Sequence, residues 1–279
     1  MTPRELIRQT ARRFRKAGVP DPEVDAALLL SHLMGRAPLD LRLDMDHDVP
    51  ADVQTEYDAL CLQRVQRVPV QYLLHVQDFL GHTFYVDDRV LIPRPETELL
   101  AERAIDALKA VSSAVPTALD LCCGSGCLCV SIALACPQAH VHGADLSADA
   151  LAVSQKNAQQ LGAAITFHQG DLFAAVGALR FDVIVSNPPY IPTTDCEGLQ
   201  DEVLLEPHMA LDGGKDGLDF YRRIAHDAPA HLNAGGVVLM EVGFDQGEAV
   251  RNLMAAASFH DCQVHSDYND IPRMVEAHF

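Results

Sequence analysis

The stretch from Phe181 to Pro192, FDVIVSNPPYIP, begins as a run of apolar and β-branched residues with the look of a buried strand. It then stops on Asn187, Pro188, Pro189 and Tyr190. Each proline lacks an amide proton and holds φ near −65°, so the pair cannot continue a sheet. A core strand that ends on a polar side chain followed by two rigid residues is built to hold something at its tip.

Working outward, the same kind of segment recurs on both sides. TALDLCC from Thr117, AHVHGADLS from Ala139, AITFHQGDLF from Ala164 and GGVVLMEVG from Gly235 read as further strands. CLCVSIALAC, ADALAVSQKNAQQLG and LDFYRRIAHDAPAHL read as the helices that connect them. Alternation of this kind predicts an α/β, Rossmann-like fold: a mostly parallel sheet with helices on both faces. Ligands of such sheets bind outside the carboxyl ends of the strands, where the strand order reverses.

The strand ends carry the candidate site. After the first comes Asp120, then Cys122, Cys123, Gly124, Ser125 and Gly126 entering a helix. Glycines here let backbone amides approach a ligand at a helix N-terminus, although a tight turn alone has the same composition. The loop is not the GxGxxG of dinucleotide enzymes. The second strand ends in Asp145, 25 residues after Asp120, at about the spacing of an acid that grips a ribose or of a plain helix cap. The third ends in Asp171 and Leu172, which would flank an adenine. Together these ends predict a nucleoside cofactor, and without GxGxxG they point to S-adenosylmethionine rather than NAD.

At the fourth end, the Asn187 side-chain oxygen and the Pro188 carbonyl supply two converging acceptors, which suit a substrate NH2 group. The prolines would fix both acceptors, with Pro189 holding the turn, and Tyr190 would pack against a planar substrate group. No histidine or carboxylate lies within this loop to act as a base.

Composition bounds the rest. Apolar residues make up 48% and charged residues 22% of 279 positions, as in an ordinary soluble globular chain. No apolar run reaches the ~20 residues of a membrane span, and no secretory signal is visible, so a cytoplasmic protein is expected. Residues 1–75 carry ten Lys/Arg and eleven Asp/Glu, whereas 76–279 carry eleven and twenty-eight. That acidic stretch disfavours direct nucleic-acid binding, which depends on neutralising phosphates. Cys122, Cys123, Cys127 and Cys129 lack the paired spacing of a zinc site, and they read as buried reduced thiols with no metal. His140 and His142 would share one strand face as structural residues.

Two domains joined by a linker are expected. Residues 1–75 read as helices: one starts at Thr2-Pro3 and stops at Gly18, and the next has Asp21 as cap, Pro22 and a stop at Gly35. A third helix spans ADVQTEYDALCLQRVQR from Ala51. Six basic residues between Arg4 and Lys16 form either a solvated face or a docking face. Residues 76–92 are expected to be a β-hairpin linker whose two pieces flank Val86–Asp88, and 93–279 the sheet domain. No large apolar face stands out, so a monomer is expected.

NPPY together with DLCCGSGC resembles the class I methyltransferases that act on planar NH2 groups. RVPVQYLLHVQDFLGHTFYVDDRVLIPRPETELL, VSNPPYIP, EPHMALDGGKDGLDFYRRI and GGVVLMEVGFDQGEAV extend the likeness to the HemK-like glutamine methyltransferases of peptide-chain release factors. The resemblance runs from about residue 60 to near the C-terminus. It implies a seven-stranded sheet, a small N-terminal helical domain that helps dock a protein substrate, and methyl transfer from S-adenosylmethionine. The implied acceptor is the side-chain amide nitrogen of the glutamine in the Gly-Gly-Gln loop of class I release factors. By the same resemblance, Gly124, Ser125 and Gly126 line the methionine part of the cofactor and Asp145 binds its ribose. Leu172 stands at the adenine contact, and Asn187 to Tyr190 hold the target amide, Asn187 being shared with the cofactor site. Cys122 stands where many members have glycine, so a changed backbone contact with retained binding is expected. Two rival substrates share the chemistry: a glutamine of a ribosomal protein, and the adenine amino group of DNA.

Overall fold

Thr2 opens the first helix by a reciprocal cap: its hydroxyl accepts from Glu5 N, and the Glu5 carboxylate accepts from Thr2 N. Helix α1 (Pro3–Lys16) buries Leu6, Ile7, Ala11 and Phe14, and carries Arg13, Arg15 and Lys16 in its last turn, where they favour the helix dipole. Helix α2 (Pro22–Met34) starts with proline at its first position and ends at Gly35 with φ 61°, while Asp21 makes no side-chain capping bond. Helices α3 (Pro38–Leu43), α4 (Ala51–Val65) and α5 (Val70–Leu74) complete a core in which Leu29, Leu30, Leu41 and Tyr57 are fully buried.

The computed structural model describes residues 1–279, which divide into two units. The first comprises Met1–Val76 together with Gln200–Leu205. The distant segment was not expected from the sequence, and electrostatics explains it. Arg64 is 3% exposed and donates to Asp25 Oδ2 at 2.7 Å and to Glu202 Oε1 at 2.8 Å. Arg67 donates from Nε to the same Glu202 Oε1 at 2.7 Å and from Nη1 to Asp201 Oδ2 at 2.9 Å. A buried guanidinium needs paired carboxylates, and this chain supplies them from residues far along it.

The second unit comprises Gln77–Leu199 and Glu206–Phe279. It opens with a hairpin of β1 (Gln77–Phe79) and β2 (His82–Phe84). Its turn is Leu80–Gly81, with φ 47° and 74°, and not the Val86–Asp88 stretch expected from the sequence. Two successive positive φ values make the tight turn that matches strand twist, and Gly81 supplies one at no cost.

Next come α6 (Pro95–Ala110), β3 (Thr117–Leu121), α7 (Cys127–Ala135), β4 (His140–Asp145), α8 (Ala148–Leu161), β5 (Ile165–Gln169) and β6 (Phe181–Ser186). Then follow α9 (Asp219–His231), β7 (Leu232–Glu241), α10 (Gly247–Ala256), β8 (His260–Ser266) and β9 (Pro272–His278). The seven-stranded sheet has the order β5-β4-β3-β6-β7-β9-β8. Strands β3 to β7 run parallel, while β9 is antiparallel to both β7 and β8. The mostly parallel seven-stranded arrangement is the one the resemblance implies. The β8–β9 hairpin and α10 were not picked out from the residues themselves.

Apolar clusters cover both faces: one contains Leu100, Leu128, Ile132 and Val183, the other Leu119, Ile184, Tyr221 and Val250. His142 pairs with His168 across β4 and β5, ring nitrogen to ring nitrogen at 2.8 Å. The order reverses between β3 and β6, where Leu121 lies opposite Ser186. The residues after these two strands, Cys122 and Asn187, therefore flank the switch point.

Candidate functional site

A cleft enclosing about 980 Å3, its open mouth included, lies at the carboxyl ends of β3, β4, β5 and β6. Of the residues picked out from the sequence, Cys122, Cys123, Gly124, Ser125, Asp145, Asp171, Leu172, Asn187 and Pro189 line it. Asp120, Gly126, Pro188 and Tyr190 are not on its wall.

The turn after β3 is shaped by its own strain and by α8. Cys122 has φ 61°, Gly124 φ 54° and Gly126 φ 80°. The left-handed conformation at Cys122 explains a preference for glycine there, because a Cβ at positive φ is strained. A Cβ on Gly126 would sit 3.1 Å from the Ser154 Cβ, so the glycine permits close approach of α8. Ser154 Oγ donates to the Gly124 carbonyl at 2.7 Å, and Asn157 Nδ2 donates to the Ser125 carbonyl at 2.9 Å. Asp145 accepts from Gly124 N and from Ser147 N, both at 2.9 Å. Burial raises its carboxyl pKa, against the pull of those backbone bonds. It is thus both a loop anchor and a cleft residue, while Ser147 caps α8 through Ala150 N.

Asp120 lies beneath this turn, 1% exposed, with Oδ2 accepting from Cys129 N and Oδ1 without a partner. Burial lifts its pKa to about 7, and the nearby Asp145 charge adds to the shift. All eight cysteines are free. Burial pushes the thiol pKa values of Cys122 and Cys129 well up, which keeps these two protonated and poorly nucleophilic.

The NPPY loop is clasped from one side by the loop that precedes α9. Ile191 N donates to the Leu211 carbonyl at 2.9 Å, and Gly213 N donates to the Ile191 carbonyl at 2.8 Å. A Cβ on Gly213 would lie 2.7 Å from Tyr190 Cα, and one on Gly217 only 2.3 Å from the Tyr190 carbonyl oxygen. Gln246 Nε2 donates to that oxygen at 2.8 Å. The Tyr190 ring packs with Leu218 and Phe220 against the apolar cluster around Tyr221. Burial raises its phenol pKa, with Glu241 adding to the effect.

Three functional neighbours escaped the sequence reading. Thr97, in the IPRPETE segment, is on the cleft wall and touches both Asn187 and Glu241. Glu206 is 5% exposed, accepts from Ile92 N at 3.0 Å and pairs with Arg94. Gln246, in the DQGEAV segment, holds the loop as described. Thr97, Glu206 and Gln246 sit in IPRPETE, EPHMALDGG and DQGEAV, but nothing local in these segments marks the partners they meet.

Residues 5–74 match the PrmC N-terminal domain family, and residues 97–269 match the methyltransferase small domain family. The chain is 41% identical over 275 residues to the release factor glutamine methyltransferase of Geobacter sulfurreducens, covering 98% of this chain and 95% of that one. It is 42% identical over 255 residues to the release factor glutamine methyltransferase of Bordetella pertussis, covering 91% and 93%. Its fold resembles a 16S rRNA methyltransferase of T. thermophilus solved with AdoMet and guanosine, at TM-score 0.53 and 21% identity, over 73% of this chain and 49% of that one. Near-full-length identity at this level, with both domain matches in sequence order, shows that the chain belongs to the release factor glutamine methyltransferase family.

Proposed function

We propose that this chain transfers a methyl group from S-adenosylmethionine to the side-chain amide nitrogen of the glutamine in the Gly-Gly-Gln loop of class I peptide chain release factors. The observation that carries the reading is the cleft itself, lined together by Asn187, the glycine turn and Asp145.

The residues present fit the cofactor. The Asp145 carboxylate reaches the cleft while it holds backbone N–H groups of its own loop, and its remaining lone pairs can accept from ribose hydroxyls. Leu146, Leu172, Met209 and Phe220 provide apolar walls for a base. When bound, S-adenosylmethionine supplies an electrophilic methyl group on a sulfonium. The chain's own residues then address the acceptor. An amide nitrogen is a weak nucleophile because its lone pair is shared with the carbonyl. The Asn187 Oδ1, on the cleft wall, would accept one of its N–H bonds, orient the nitrogen and stabilise the positive charge that develops on it, with the Pro188 carbonyl, set back from that wall, as the second acceptor the family resemblance implies. Asp145 and Asp171 are the only carboxylates on the cleft wall, both at other strand ends, so the surplus proton passes to water once the nitrogen is methylated. Tyr190 serves as the loop's anchor.

The substrate-docking role falls to the N-terminal helices, the protein acts as a monomer, and it works in the cytoplasm. No helix is long and apolar enough to cross a membrane.

The test is transfer of labelled methyl from S-adenosylmethionine to purified release factor, to its Gln-to-Ala loop variant and to DNA. Label on the release factor alone is expected. Label on DNA, or equal label on the loop variant, overturns the reading; label only on a ribosomal protein moves the substrate. Asn187→Ala should lower turnover by about 100-fold or more while leaving cofactor binding in place.

A further inference from the structure

The cleft leaves one buried ionisable group without a task. Glu241 ends β7 and is 3% exposed. Thr97, 2% exposed at the start of α6, donates its hydroxyl proton to Glu241 Oε2 at 2.6 Å. Asn187 in turn donates from Nδ2 to Thr97 Oγ1 at 3.4 Å and lies within hydrogen-bond reach of the Glu241 carboxylate itself. The donors therefore all point one way, with the Asn187 amide and the Thr97 hydroxyl both directed at Glu241.

We propose that Thr97 and Glu241 are positioning residues that lock the Asn187 amide with its oxygen towards the substrate. The inference rests on the reading of Asn187 as the acceptor of the substrate NH2. A primary amide has two faces of nearly equal shape, and only one of them can accept. A threonine hydroxyl has a single proton. With that proton committed to the Glu241 carboxylate, Thr97 presents lone pairs to Asn187 and can be met only by an N–H. The flipped amide would place its oxygen against those lone pairs. Fixing the amide this way also polarises it, since a donor chain ending on a carboxylate strengthens each bond along it. Oδ1 becomes a better acceptor for the cationic nitrogen forming in the reaction.

The arrangement accounts for the pairing of IPRPETE with NPPY in one chain: the threonine of the first segment orients the asparagine of the second. Burial lifts the Glu241 pKa to about 7, with Glu96 raising it further and Thr97, Arg273 and Asn187 opposing. Cys127, Tyr190 and Tyr221 also lie within electrostatic reach of this carboxylate. A protonated Glu241 can itself donate to Thr97, which frees the threonine proton to face Asn187 and removes the lock.

The test uses the full chain with selectively 15N-labelled asparagine, together with methyl-transfer kinetics. In Thr97→Val, which keeps the side-chain shape, exchange of the Asn187 side-chain amide protons should accelerate at least about tenfold, and kcat should fall about 30-fold. The KM for the release factor and the Kd for S-adenosylmethionine should stay within about threefold. Thr97→Ser restores the hydroxyl and should recover most of the turnover and the slow exchange. The wild type should lose kcat as pH falls below 7, and Glu241→Gln should flatten that decline. Wild-type exchange and kcat in Thr97→Val overturn the proposal, as does a loss of cofactor affinity that Thr97→Ser fails to rescue. If Thr97→Val does not fold, the pH profile of Glu241→Gln decides, and an unchanged profile overturns it. A wild type that leaves the release factor unmethylated sinks the substrate reading alone, because the amide exchange still reports on the lock.

Discussion

Gly124 donates its amide proton to Oδ2 of Asp145 at 2.9 Å, which ties the turn after β3 to the end of β4. The same carboxylate holds Ser147 N with its other oxygen, so one side chain fixes two elements of the cleft. Replacing it removes a ribose acceptor and loosens the turn together. Asp145→Ala is expected to weaken S-adenosylmethionine binding by about 30-fold or more, at roughly 2 kcal/mol for a hydrogen bond to a charged group. Isothermal titration checks this, and affinity near that of the wild type would remove Asp145 from the cofactor site.

Cys122 holds φ 61° with a thiol that packs against the apolar cluster. A glycine relieves the backbone but gives up that packing and gains unfolded-state entropy, so Cys122→Gly should unfold within about 1 kcal/mol of the wild type. Cys122→Val adds a β-branched side chain at a left-handed position and should cost at least about 2 kcal/mol. Urea unfolding of the two variants separates backbone strain from side-chain packing.

Gly217 faces the Tyr190 carbonyl at a distance no Cβ tolerates, and its own φ is 73°. Gly217→Ala must push that carbonyl away from Gln246 and shift the loop that carries Asn187. A stability loss of about 2–4 kcal/mol is expected, with turnover falling further than cofactor affinity. Faster amide exchange at Ile191 and Gly213 would mark the released loop.

Asp120 ionises in the folded protein near pH 7 because burial penalises its charge, whereas its unperturbed value is 3.8. Between those values the folded state holds a proton that the unfolded state has lost, so this group makes stability fall as pH rises through the window. In Asp120→Asn that contribution is gone. The drop in unfolding free energy from pH 5 to pH 7 should be smaller than in the wild type by ~2 kcal/mol, measured in urea at each pH. An identical slope would show that Asp120 is already ionised in the folded state.

Much of this layout can be read from residues alone, for a reason of geometry. In a parallel sheet the strands are buried runs, and the chain must turn at their carboxyl ends, so odd residues there stand out: Asp120, Asp145, Asn187. What escaped was long-range polar contact. Thr97 and Glu241 are 144 positions apart. Nothing local distinguishes Glu241 from an ordinary strand end, or Thr97 from any residue in the first turn of a helix. Gly213 and Gly217 look like loop glycines until Tyr190 is seen behind them. The Tyr190 ring, expected against the substrate, also packs against the apolar cluster around Tyr221, a contact no local signal marks.

The segment Gln200–Leu205 gives the helical unit a schedule. A ribosome releases the chain in order, at roughly 5–20 residues per second, and domains usually fold as they emerge. Helices α1 to α5 can gather early, but the carboxylates of Asp201 and Glu202 arrive some seconds later, after β3 to β6 and the NPPY loop have been made. Until then Arg64 has only Asp25 to meet its charge, and Arg67 has neither of its acidic partners. The part of the protein synthesised first is among the last to be finished, and a fragment cut at Val76 would be left permanently at that halfway stage.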